Sequence, residues 1–243
     1  MKGERKVKYF RIIAALSLVV ATAPVFAQKP DPRTAEGQLT VCGGAASWQS
    51  IGYLDFSVSI NTPTGKEGPW NYRWDRRNNF LRMAGPGPNG GGLDMVLEVS
   101  SRTGGGWRDG RQISGKALAN AVNWTLQRFG EDVLWLTFPL EWGAPGVKVS
   151  PLPDVTGENG RKLPATKVSS GTGIWDVQLD PDTGRITKTV FTRRGSGSLD
   201  ILWDDWKAFG GVYFALKRTI EETHEVVLVT VNHVSATPPA GTF

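Results

Sequence analysis

Apolar residues at every second position recur along most of this 243-residue chain, and that interval constrains its fold more than any other feature. Leu54, Phe56, Val58 and Ile60 share one face of an extended segment. Trp70, Tyr72 and Trp74 share another, with Asn71, Arg73 and Asp75 opposite, and Leu93, Met95, Leu97 and Val99 a third. A period of two means strands with one greasy and one wet face. "FLRMA", after a turn at "RRNN", and "GVYFALKRTI" and "EVVLVTVNHV" near the C-terminus extend the series. In "WDVQLDPDTGRITKTVF" (175–191), Trp175, Val177 and Leu179 alternate with Asp176, Gln178 and Asp180. Asp180-Pro181-Asp182-Thr183-Gly184 then supplies the residues a turn demands, and Ile186 and Val190 resume the pattern, which predicts a hairpin.

Strands with one apolar face need something to cover it. One segment changes interval. Ser114 can cap a helix through "GKALANAVNWTLQRF", where Leu118, Ala121, Val122, Thr125, Leu126 and Phe129 follow helical spacing. Gly130 is expected to end it. "EDVLWLTFPLEW" scores alike as helix and as strand and is read as a second short helix with Asp132 near its start. The expected fold is mainly β (α+β): a curved antiparallel sheet folded as a half-barrel over a central helical insertion, the space between being either packed core or cavity.

The chain opens with Lys2, Arg5, Lys6, Lys8 and Arg11, an apolar run from Ile12 to Ala23, and the small-residue pattern Val25-Phe26-Ala27. This predicts a secretory signal peptide over 1–27, too short for a membrane anchor. Residues 28–42 are read as a flexible leader and 43–243 as a single domain ending in a loose "SATPPAGTF". Without residues 1–27 the chain keeps 23 Lys+Arg against 22 Asp+Glu, so the basic character of the whole sequence belongs to the export signal and nothing argues for nucleic acid. Cys42 is the one cysteine, so no internal disulfide forms, and Val41 before it does not suit a lipidation box.

Motifs for chemistry are sparse. "GPGPNGGG" lacks the strand-to-helix setting and the Lys-Ser/Thr of a phosphate loop. His224 and His233, if on one continuous strand, face opposite ways and cannot share a metal. No G-x-S-x-G occurs, and nothing around Cys42 marks a nucleophile. The acids at 176–182 lack the ligand spacing of a calcium loop. "WDDW" (203–206) suggests a glycosidase carboxylate pair, but Asp204 and Asp205 point oppositely on a regular strand. No catalytic residue, metal site or cofactor is therefore expected. Ten tryptophans stand out. Each joins a large apolar body to one N–H that wants a partner, suiting a packed core, a greasy pocket or a sugar platform.

"GGAASWQSI", "YRWD", the helix leading into "EDVLWLTFPLEW", the "DPDTGRI" hairpin, "WDDWKAFGGVYFALKR" and the final "GTF", in that order, resemble a group of exported bacterial proteins similar to the periplasmic lipoprotein carriers, the LolA/LolB-like half-barrels. The resemblance covers most of 43–243. It implies a sheet of eleven or so antiparallel strands closed by helices around a hydrophobic cavity for acyl chains, with the helix at 115–129 as its lid. On this basis the expected function is a monomeric periplasmic carrier of a lipid or other hydrophobic molecule, with an envelope membrane or a lipoprotein as partner. Trp70, Tyr72, Trp74, Trp124, Trp135, Phe138 and Trp175 are the expected ligand-lining residues. Two alternatives stay open: a carbohydrate-binding or glycan-hydrolysing β domain, and a structural or interaction protein with a filled core.

Overall fold

The structure is a computed structural model, which describes residues 29–243 apart from 158, 172 and 194–196; the expected signal peptide lies outside the described residues. Thirteen strands form one sheet: β1 (Tyr53–Thr62), β2 (Gly65–Asp75), β3 (Phe80–Pro86), β4 (Gly92–Glu98), β5 (Thr103–Arg108), β6 (Arg111–Gln112), β7 (Lys148–Thr156), β8 (Lys162–Ser170), β9 (Gly173–Leu179), β10 (Ile186–Thr192), β11 (Ser198–Phe209), β12 (Val212–Ile220) and β13 (Glu225–Ser235). Their order is β6-β5-β4-β3-β2-β1-β13-β12-β11-β10-β9-β8-β7, and neighbours pair antiparallel throughout. The first six strands meander outward to one edge. The chain then crosses to the opposite edge and meanders back until β13 pairs with β1 in the middle.

That crossing dictates the shape. Thirteen strands laid side by side measure about 58 Å. The crossing is made largely by one helix of 23 residues, Gly115–Thr137, about 35 Å long. The sheet must therefore curl, and the helix spans its hollow side. Two further helices precede the sheet, α1 (Ala35–Val41) and α2 (Ala45–Ser50), so the crossing helix is α3; a 3-10 turn at Phe138–Leu140 extends it. The result is the expected curved, unclosed antiparallel sheet with a central helix.

The alternating residues fall where their pattern places them. Leu54, Phe56, Val58, Tyr72, Leu81, Met83, Leu93, Met95 and Leu97 are all buried on the concave face. The helix turns Ala121, Val122, Thr125, Phe129, Asp132 and Leu136 toward them. The core divides in two. One cluster lies under β1–β4 and takes in Phe129; the other gathers Phe138, Trp142, Trp175, Val177, Ile201 and Trp203 under β9–β11.

Three expectations need correction. Gly130 does not end the helix, and the second short helix is the same helix continued to Thr137. Glycine costs about 1 kcal/mol in a helix interior, and the buried Asp132 and Leu136 beyond it secure the continuation. The leader is not loose throughout: Thr34 caps α1, and the fully buried Gln38 donates to the Gly184 carbonyl in the β9–β10 turn at 3.0 Å. His224 stands in the turn before β13 at φ 57 and so does not share a strand with His233.

Candidate functional site

The seven expected lining residues fall into two groups on the concave face, with one outlier at its mouth. The first group stands on β2. Tyr72 is fully buried, stacked on Phe56 with ring centroids 5.0 Å apart and tilted against Phe129 at 5.7 Å. Trp74 meets Phe129 edge-on at 5.3 Å. Trp70 donates its indole N–H to the Pro86 carbonyl at 3.0 Å. A polar clasp ties this group to the helix. The Tyr72 hydroxyl donates to Asp132 Oδ2 at 2.6 Å, and Arg128 donates to both Asp132 oxygens at 2.9 and 2.5 Å while its guanidinium lies 3.9 Å above the Trp70 ring. Burial pushes the Asp132 carboxyl up from its ordinary range, and the Arg128 and Tyr72 donors pull it back part of the way. Both Asp132 oxygens and the Tyr72 hydroxyl are used.

The second group lies where the helix ends. Trp135 is edge-on to Trp175 at 6.3 Å, and Phe138 packs against Trp175 at 4.6 Å and Trp203 at 5.7 Å. Trp175 also stacks on Phe191 at 4.0 Å. Trp203 and Trp142 belong to this group and were not among the expected residues. Trp203 reaches it by the alternation of β11. Trp206, three residues on, would face away on a regular strand, yet the two indoles stack at 6.5 Å because Asp205 adopts φ 54.

Arg218 was also missed. It occupies an inward position of β12, directly across from Trp203, in the series Val212, Phe214, Leu216, Arg218, Ile220. It is fully buried, and its guanidinium lies 4.6 Å over the Trp203 ring. One nitrogen donates to the Trp135 carbonyl in the last turn of α3, while Nε and Nη1 have no partner. Burial alone drives its pKa down, to about 9, which leaves it a cation at neutral pH. The indole N–H of Trp142, in the same cluster, is likewise unpartnered.

Trp124 stands apart from both groups. With Trp70, Pro86, Pro88, Arg128 and Glu131 it lines a depression of about 560 Å³ at the rim between helix and sheet, within the range of small-molecule sites. A larger hollow of about 680 Å³ lies among Arg82, Leu93, Asp94, Trp107 and Phe243 and involves none of the seven. It is dominated by outward-facing side chains such as Arg82 and Trp107, so it belongs to the far side of the sheet.

The acid-rich motifs resolve simply. Asp180 accepts from the backbone of Asp182 and Thr183 and from the Thr183 hydroxyl, and Gly184 takes φ 75: a turn. Asp204 and Asp205 are exposed, each paired with a lysine, Lys217 at 3.7 Å and Lys207 at 3.0 Å. Cys42 is fully buried, and burial pushes its thiol up to about 12, far from thiolate character at neutral pH.

No protein-family model matches the sequence, and no curated protein matches it as a relative. Among solved structures, the fold is similar to LolA superfamily and lipoprotein-sorting domains. A LolA superfamily protein from Nitrosomonas europaea is 10% identical, with 85% of this chain and 94% of that one aligned at a TM-score of 0.48. A structure described as an outer membrane lipoprotein-sorting protein domain, from Vibrio parahaemolyticus, is 11% identical over 82% and 89% at 0.41. A DUF1329 family protein from Desulfovibrio piger is 9% identical over 88% and 96% at 0.44. At such identities the likeness concerns architecture, and the functional reading below rests on this chain's own geometry.

Proposed function

We propose that the protein holds a lipid or another hydrophobic molecule between the concave face of its sheet and α3, and that it does so in the bacterial periplasm, where an envelope membrane or a lipoprotein would be its partner. The observation that carries this reading is the cover. A broad apolar sheet face is closed by one helix instead of a second layer, and Trp74, Trp124 and Trp135 remain only half-buried along the seam. The Trp124 depression offers an entrance beside them. Burying an acyl chain of about a dozen methylenes is worth roughly 10 kcal/mol gross, and it needs a dry concave surface with a few polar groups, not a catalytic constellation.

One observation favours the filled-core reading instead. Tyr72 is buried against Phe56, and Phe138 and Trp175 against each other, at ordinary ring-packing distances, so a guest enters only if α3 or its 3-10 extension draws back. A single experiment separates the two. Protein purified gently from its own host is examined by native mass spectrometry and then titrated with the uncharged fluorophore N-phenyl-1-naphthylamine. The carrier reading expects a bound lipid mass, or saturable enhancement of the dye. Lipid-free protein that leaves the dye dark is the result expected of a filled core.

A further inference from the structure

Three arginines lie over tryptophan rings among the described residues, and two of them have at least two hydrogen bonds each. Arg76 lies 3.3 Å over Trp48 and donates to the carbonyls of Trp48 and Ile51. Arg128 lies over Trp70 and grips Asp132 with two donors. Arg218, the most deeply buried of the three, has a single carbonyl, and among the described residues no acid forms an ion pair with it. A buried charge left without a counter-charge costs several kcal/mol, and folded proteins ordinarily pair it or do without it. Nothing in the fold requires a cation here. The neighbouring inward positions of β12 are Leu216 and Ile220, and an aliphatic residue at 218 would continue them.

Capping the helix is the plainer explanation. The Trp135 carbonyl is one of the last four of α3, which carry the negative end of its dipole. Yet a cap uses one donor, and two nitrogens remain buried without a partner in a guanidinium that lies on Trp203, whose cluster holds another unpartnered donor, Trp142 Nε1. A planar guanidinium with spare N–H groups matches an oxygen pair of a carboxylate or phosphate. The surrounding rings of Phe138, Trp175 and Trp203 match an alkyl chain and not a hydrated free ion.

We infer that Arg218 is the head-group site of the concave face: the ligand is an amphiphile whose oxyanion head, carboxylate or phosphate, accepts from the unpartnered guanidinium N–H groups while its acyl chain takes the place of the Phe138 ring among the tryptophans. This rests on the carrier reading and names its ligand class. Charge-assisted hydrogen bonds of this kind correspond to about 10- to 100-fold in affinity.

The test is displacement of N-phenyl-1-naphthylamine from the purified protein at pH 7 by palmitate, hexadecyl phosphate, hexadecanol and inorganic phosphate. Both acyl anions should displace the dye at about 10- to 100-fold lower concentration than hexadecanol, and the stronger of the two identifies the head. Inorganic phosphate should not compete. In Arg218→Met the anions should fall to the level of hexadecanol, and Arg218→Lys should keep part of the preference. Hexadecanol binding as tightly as palmitate overturns the inference and leaves the carrier reading standing. So does an anion preference that survives in Arg218→Met. Competition by inorganic phosphate replaces the amphiphile by a free anion. Dye that never binds removes the carrier reading, and the head-group site goes with it.

Discussion

Asp132 and Arg218 are both fully buried ionisable side chains at the interface between helix and sheet, and their surroundings differ. On the β1–β5 side, Asp132 receives two donors from Arg128 and one from Tyr72. On the β9–β12 side, Arg218 has one carbonyl, two nitrogens without a partner and the Trp203 ring beneath its guanidinium. In the first half the charge is met, although the Trp74 indole N–H and the Thr125 hydroxyl nearby have no partner. The second carries an unmet electrostatic demand and a cover that consists of the helix terminus and one 3-10 turn. The comparison sets a buried charge met by partners in one half against a buried charge left without a counter-charge in the other.

The sharpest way to break that division is to remove each charge in turn. Asp132→Ala strands the Arg128 guanidinium and the Tyr72 hydroxyl, and should lower unfolding free energy by about 3–5 kcal/mol in urea denaturation. The opposite sign is expected on the other side. Arg218→Met fills similar space without the charge and should raise the stability of ligand-free protein by about 2 kcal/mol, read by the same titration. A loss there would mean that Arg218 is a helix cap like any other. Tyr72→Phe keeps the ring stack on Phe56 and removes one donor to a carboxylate, for an expected loss of about 1.5 kcal/mol. Smallest is Gly130→Ala, at the joint between the halves. A Cβ there meets nothing within 4 Å, and the residue is not among those at positive φ, so the thermal midpoint should rise, by an amount equivalent to about 0.7 kcal/mol.

Much of the sheet was legible in the sequence because a period of two survives in it uncorrupted. Leu54, Phe56 and Val58, or Trp175, Val177 and Leu179, need no tertiary information to declare a face, and Asp180 to Gly184 declare a turn. What escaped was whatever tertiary contact decides. Gly130 looks like a stop until Asp132 is seen gripping Tyr72, 60 residues away. The α1 segment, whose buried side chain is the polar Gln38, carries no long apolar stripe, and its place is set by contacts remote in sequence, the Gly184 carbonyl among them. The pairing of β1 with β13 leaves no local trace at all. At the site, the aromatic members were readable as large rings on inward faces, whereas their partners were not. Asp132 was placed near a helix start when it sits in the interior of one. Trp206 was hidden by the left-handed turn of the backbone at Asp205. Arg218 left a signal that could have been used: in "VYFALKRTI" it stands where the alternation calls for a hydrophobe, and a charge on the dry face of a strand is a question about its partner.

The order of strands has a consequence for how such a chain comes to be folded. β1 and β13 are neighbours at the centre of the sheet although about 170 residues separate them. Emerging N-terminus first, the polypeptide can assemble each meander as it appears, yet the two cannot be stitched together until the thirteenth strand arrives. Until then β1 presents a bare, apolar, hydrogen-bond-hungry edge, and any truncation that costs β13 would leave two sticky half-sheets in place of one continuous sheet.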